Sequence, residues 1–209
     1  VAIKEATRCK RPYSLGRRLE RSDDKRAKIL AAARAQLESS GFLSLTLDAL
    51  ARESGVTRQT IHNLFGTKAG LLEALFDQLA LAGGMYRMRE VMQRTDRQLL
   101  LEAFVKVFTD FWSQDRLFIR RIHGLAAIDP EFGAALEARN RRRRTAAARI
   151  VDRLSGGNDA SDAEDRTKRS AVLCALTSFE FFDLLAEGSG TLEDAAHLVL
   201  TLVKREFAT

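Results

Sequence analysis

Proline is nearly missing from this 209-residue chain, with only Pro12 and Pro130 present. Proline breaks helix interiors because it lacks an amide N–H. The long stretch between the two is therefore free to run as helix. Cysteine is just as scarce. Cys9 falls in a basic stretch and Cys174 in an apolar one, which offers neither a disulfide framework nor a metal-ligand spacing. Such sparse cysteine fits a reducing compartment, and a cytoplasmic location is expected. No run of 18 apolar residues occurs, so no membrane span is expected. The basic start has no apolar stretch behind it, so a secretory leader is not expected either. The three histidines, His62, His123 and His197, are far apart. No Ser/His/Asp or Cys/His arrangement sits on suitable elements, and there is no glycine-rich phosphate loop. Neither an enzyme nor a cofactor or metal is expected.

What the chain does have is apolar residues at 45% and charged residues at 30%. That balance supports a folded core under a solvated surface rather than a disordered chain. The net charge of +6 is unevenly placed. Residues 1–68 hold 14 Lys and Arg against 7 Asp and Glu, whereas residues 69–209 are nearly balanced at 20 against 21. The basic third predicts a polyanionic partner, nucleic acid or an anionic lipid surface.

Residues 1–22 carry five Arg and two Lys against two Glu, with no helical periodicity, and read as a mobile basic arm. Ser22 with Asp23 and Asp24 looks like a helix start. Ile29, Leu30, Ala33 and Leu37 then recur at helical spacing, and Gly41 suits a stop. Short helices follow from Thr46 to Ser54 and from Thr57 to about Phe65. A fourth starts near Thr67 and ends at Gly83-Gly84. Further helices are predicted at 96–114, 116–128, 131–154, 163–186 and 192–207. No strand pattern stands out. The prediction is an all-α chain of about nine helices. Its parts are the arm (1–22), a three-helix domain (23–68) and a larger helical domain (69–209).

Residues 47–64 are the most informative. Two helices joined by a tight turn need a small residue on the first, a turn residue that tolerates positive φ, and apolar residues inside the second. Ala51, Gly55 and Ile61 supply these, with Leu47, Leu50, Val56 and Leu64 around them. At about 100° per residue, Arg58, Gln59, His62 and Asn63 share one outward arc of the second helix. Arg suits guanine, and Gln or Asn suits adenine, in the major groove. Any solvent face is polar, so the arc gains weight only beside the turn spacing and the basic arm. Thr46 and Thr57 can cap their helices and leave N-terminal amides for phosphates. Lys68 sits in a first helical turn, where the dipole disfavours a cation. A phosphate would relieve that conflict.

The stretch from Lys28 to Leu72 resembles the tetracycline-repressor (TetR) family. The resemblance rests on Ala31-Ala32-Ala33, Gly41-Phe42, Thr46-Leu47-Asp48-Ala49-Leu50-Ala51, Gly55-Val56-Thr57-Arg58-Gln59-Thr60-Ile61, Phe65, Thr67-Lys68 and Leu71-Leu72. It implies a homodimer on a double-stranded DNA operator, with repression usually relieved by a small molecule. It also implies base or backbone contact by Arg58, Gln59, Thr60, His62 and Asn63, with Lys68 on phosphate. The family often has Tyr where this chain has His62, and commonly His where it has Leu64. The arm residues Arg8, Lys10, Arg11, Arg17 and Arg18 would add salt-sensitive attraction to DNA.

Two features of the larger domain fit that scheme. Residues 170–207 are apolar on more than one side, which predicts a two-fold contact through Leu173, Thr177, Phe181, Leu184, Val199 and Leu202. Phe104, Phe108, Phe111, Trp112, Phe118 and His123 form an aromatic-rich stretch that is either plain core or an effector pocket. The seam through Leu136, Ala147, Ile150 and Leu154 passes Asn140 and Arg143. Those two either meet a polar group of an effector or project into solvent with the neighbouring arginines. The alternative function is an effector-independent DNA-binding or DNA-organising protein.

Overall fold

The computed structural model describes residues 15–39, 45–156 and 163–207. Among these, every regular element is helical. The elements are α1 (Leu15–Ser39), α2 (Leu47–Ser54), α3 (Arg58–Phe65), α4 (Lys68–Ala82), a 3-10 turn at Met85–Arg87, α5 (Met88–Val91), α6 (Arg97–Gln114), α7 (Arg116–Ala126), α8 (Pro130–Leu154), α9 (Ala163–Leu176), α10 (Phe179–Gly188) and α11 (Leu192–Phe207).

Most boundaries follow from local chemistry. Asp96 starts α6 by accepting from the Leu99 amide at 2.7 Å. Asp129 starts α8 by accepting from Glu131 N at 2.9 Å and Phe132 N at 3.3 Å, with Pro130 in the first turn where no amide is needed. Two boundaries differ from the sequence expectation. Helix α1 begins at Leu15, ahead of the predicted start at Ser22, because Arg17–Arg21 are strong helix formers and nothing interrupts them. The predicted stop at Gly41 lies outside the described residues, as does most of the predicted loop at 155–161. The second difference is the larger. The helix expected over 163–186 is broken at Thr177-Ser178. Thr177 Oγ1 donates back to the Leu173 carbonyl at 2.7 Å, and Ser178 Oγ accepts from Phe181 N at 3.2 Å. Hydroxyl side chains of this kind compete with helix continuation. The break leaves the Thr177 carbonyl free, and Trp112 Nε1 donates to it at 3.1 Å.

The apolar side chains form two cores. The first holds Ile29, Leu30, Ala33 and Leu37 of α1, Leu50 of α2, Ile61 and Phe65 of α3, and six residues of α4. It does not end there. Phe118, Ile122 and Leu125 of α7 and Phe132 and Ala135 of α8 belong to it too. The second core joins α5, α6, the later half of α8 and α9–α11. Helix α7 shows one face to each, since Ile119 packs in the second core. Phe111 packs against both. A Cβ at Gly83 would fall 2.3 Å from Phe111 Cδ2, so only glycine lets the end of α4 lie on that ring.

Candidate nucleic-acid interface and internal cavity

The turn between α2 and α3 is built as the spacing predicts. Gly55 adopts φ 66° and ψ 31°, the left-handed conformation that a side chain resists. Val56 N reaches back to the Ala51 carbonyl at 3.0 Å. Thr46 Oγ1 accepts from Ala49 N at 3.2 Å, and Thr57 Oγ1 accepts from Thr60 N at 3.1 Å. Leu50 and Ile61 are buried between the helices, and the Arg26 guanidinium lies 4.8 Å over the Phe65 ring. With the apolar side fixed, Arg58, Gln59, His62 and Asn63 face solvent, and Thr60 is half-buried. These outward groups have only light partners. Arg58 Nη1 stands 3.3 Å from Asp48 Oδ1, both well exposed. Gln59 Nε2 donates to Asn63 Oδ1 at 2.8 Å. Surface contacts of this sort contribute little and exchange readily.

The dipole conflict at the start of α4 is relieved from within, because Lys68 Nζ pairs with Asp129 Oδ2 at 2.7 Å and lies 5.5 Å from the Phe132 ring. That hydrogen bond, with the two α8 amides, holds the Asp129 carboxyl below its ordinary range. Lys68 therefore ties α4 to α8. Arg34 pairs with Asp115 and lies 4.5 Å over Phe118, and Arg121 Nη1 donates to the Glu38 carbonyl at 2.6 Å. These contacts fasten α1 to α7. Arg8, Lys10 and Arg11 lie outside the described residues. Arg17 and Arg18 lie within the span of α1.

Between the two cores, α4, α6, α7 and α8 line a partly open cavity of about 390 Å³. Of the residues expected around a pocket, Phe108, Phe111, Trp112, His123, Asn140 and Arg143 line it. Phe104 and Phe118 do not. Phe104 is fully buried behind Phe108, edge to face at 5.1 Å, and Phe118 faces the first core. The lining also includes Phe76 and Leu79 of α4, Met85 and Met88 after it, and Leu136 and Arg139 of α8. Met85 and Met88 carried no periodic signal because their elements span only a turn each. His123 is held from outside by Glu180, Nδ1 to Oε1 at 2.9 Å, and packs against Phe179 at 4.6 Å. The His123 hydrogen bond brings the Glu180 carboxyl down to about 2. Arg141, Arg142 and Arg144 are exposed, in line with the solvent reading of that run. Arg143 is the exception. It turns inward and donates to the Cys174 carbonyl, and burial pushes its pKa below the usual value.

The surface expected for a two-fold contact needs correction. Leu173, Thr177 and Val199 are completely or almost completely buried within their own subunit and have no outward surface to offer. Leu173 of α9 and Val199 of α11 pack in the second core, and Thr177 sits at the break against Trp112, whose Nε1 donates to its carbonyl. Phe181 is half-buried against the second core. Leu184 and Leu202 do face outward, as do Val172 and Leu198.

A small helix-turn-helix packed on a larger helical unit with an internal cavity defines the class. Residues 29–75 match the sequence profile of the tetR family of bacterial regulatory proteins. Over 66 residues the chain is 39% identical to the HTH-type transcriptional regulator EthR of Mycolicibacterium smegmatis. That match takes in 31% of this chain and spans 30% of the length of that relative. The fold resembles that of a TetR transcription regulator from Haloarcula marismortui, with a TM-score of 0.60 at 16% identity, covering 88% of this chain and 96% of the other. It also resembles a Clostridium perfringens protein, with a TM-score of 0.62 at 12% identity, covering 86% and 97%. The sequence likeness to the tetR family is thus carried by residues 29–75, and the rest of the chain shares the fold of the two solved structures. Among the described residues, no helix is long and apolar enough to cross a membrane.

Proposed function

We propose that this chain is a sequence-specific DNA-binding transcriptional regulator, acting as a homodimer that leaves its operator when a small molecule fills the cavity. The observation that carries the reading is the split of α3: Ile61 and Phe65 are buried while Arg58, Gln59, His62 and Asn63 are exposed. An eight-residue helix so divided fits a major groove, and its outward residue types suit base edges. Residues 23–68 are the reading unit in this proposal, and 69–209 the sensing and pairing unit. Thr46 and Thr57 leave first-turn amides for phosphates, and residues 1–22 add sequence-independent attraction.

Pairing is assigned to the outward apolar residues of α9–α11, namely Val172, Leu184, Leu198 and Leu202. Effector response rests on the position of the cavity. Its walls include α4, which leads directly from the reading unit, and α7, which is pinned to α1. A ligand there can favour one spacing of the two reading helices over another.

The test is selection of bound duplexes from a random pool by the full chain. The expected result is a two-fold symmetric site with half-sites about one helical turn, roughly 10 base pairs, apart. A pool that stays random after repeated selection would remove the proposal.

A further inference from the structure

The wall of the cavity is mostly apolar, and its buried charge lies on α8. Two arginines there differ in how they are balanced. Arg139 meets two carboxylates, Glu73 Oε2 at 2.6 Å and Asp77 Oδ1 at 2.8 Å, and also donates to the Glu73 carbonyl at 3.1 Å. Arg143 has no carboxylate within ion-pair distance among the described residues. Its partner is the Cys174 carbonyl, in the last turn of α9. That carbonyl sits at the negative end of a helix and offsets part of the charge. It uses one of five N–H donors, and the buried Nε has no partner, a feature Arg143 shares with Arg139. The acid that acts on Arg143 through space, Glu180, is already engaged by His123. A cation taken out of water is normally paired. Here the wall holds a guanidinium without its counter-ion.

We propose that the cavity binds an amphipathic monoanion, with an apolar body against Phe76, Phe108 and Trp112 and a single carboxylate-like head on Arg143. Asn140, one turn before Arg143 on the same wall, is the second polar contact. This rests on the reading of the cavity as an effector site. A cationic head is disfavoured because Arg139, Arg142 and Arg143 all line the wall. A dianionic head is disfavoured as well. Arg142 is exposed to water, so of the two inward arginines only Arg143 lacks a carboxylate, and Asp77 in the same lining repels a second negative charge.

The chain reports its own occupancy. Trp112 is the single tryptophan, and it lines the cavity. The experiment is titration of the full chain with decanoate, decanol and decylamine, followed by Trp112 fluorescence, repeated on Arg143→Met. The expected result is that wild type binds decanoate at least about tenfold more tightly than decanol, as a charge-assisted contact requires, with decylamine weakest. Arg143→Met should bring decanoate down to the level of decanol and leave decanol within about twofold, since that neutral head makes no charged contact. Equal binding of decanoate and decanol by wild type would overturn the monoanion assignment while leaving the cavity reading intact. So would unchanged decanoate binding by a folded Arg143→Met. No Trp112 response to any of the three would remove the cavity reading itself. If Arg143→Met does not fold, the wild-type head-group series decides alone.

Discussion

Helices α3 and α8 use polar side chains in opposite ways. In α3 they face water. Arg58 leans on Asp48, and Gln59 on Asn63, through exposed contacts that another partner can replace. In α8 two arginines face inward, where Arg139 is matched by carboxylates and Arg143 is not. A free polar group on the surface costs little, because water satisfies it. The same group in a wall must be matched or left at a cost. A large partner is therefore read from an outward surplus, and a small one from an inward mismatch. The two helices also share a foundation. The core beneath α3 runs on through Phe118 and Phe132, the second being the third residue of α8.

The strongest way to break this comparison is to ask whether the two regions stand separately. Leu50 is fully buried under α3. Leu50→Ala should cost about 2–5 kcal/mol, as large-to-small changes in a packed core do. Because the first core extends into α7 and α8, circular dichroism and Trp112 fluorescence should report one shared transition at a lower temperature. If Trp112 melted at the wild-type temperature while helicity was lost early, the two regions would be independent.

The next effect is smaller and confined to α3. Arg58→Ala should weaken specific duplex binding by about 1–3 kcal/mol and relax one base position. Thermal stability should stay within about 0.5 kcal/mol, because the side chain is exposed and its pairing with Asp48 is weak. A melting temperature that fell in step with affinity would show that Arg58 supports the fold rather than reads DNA.

The same contrast explains what the sequence disclosed. The α2–α3 unit depends on near-neighbour rules: threonine caps, a left-handed glycine, and apolar residues at helical spacing. All of these are visible along the chain, and the structure carries Thr46, Gly55, Thr57 and Ile61 in their expected places. The cavity depends on which helices meet, which no local pattern states. Phe104 and Phe108 lie four residues apart on one face, yet one is core and the other lines the void. Lys68 opposes the dipole of its own helix, and the carboxylate that pairs with it stands 61 residues away. The break at Thr177-Ser178 did leave a signal in its adjacent hydroxyl residues. The apolar run on either side concealed it.

The smallest predicted effect concerns how the cavity wall is held from behind. Glu180 titrates at about 2 in the folded chain against an ordinary 4.5, mainly because it accepts from His123. A carboxylate whose folded pKa lies below its unfolded value stabilises the fold fully above the unfolded pKa. That stabilisation is lost as pH falls through the folded one. The window here is therefore pH 4.5 down to about 2. The Glu180 side chain is 66% exposed, so water screens much of the interaction. Its contribution is held to about 1 kcal/mol or less. Glu180→Gln keeps the shape and removes the titration. At pH 6 wild type should melt up to about 2–4 °C above the variant, and the gap should narrow as pH falls from 4.5 towards 3. A gap that stayed constant across that range would mean the Glu180 charge plays no part, with packing on Phe179 and Trp112 holding His123 in the wall. Charge would then matter only on the α8 side of the cavity.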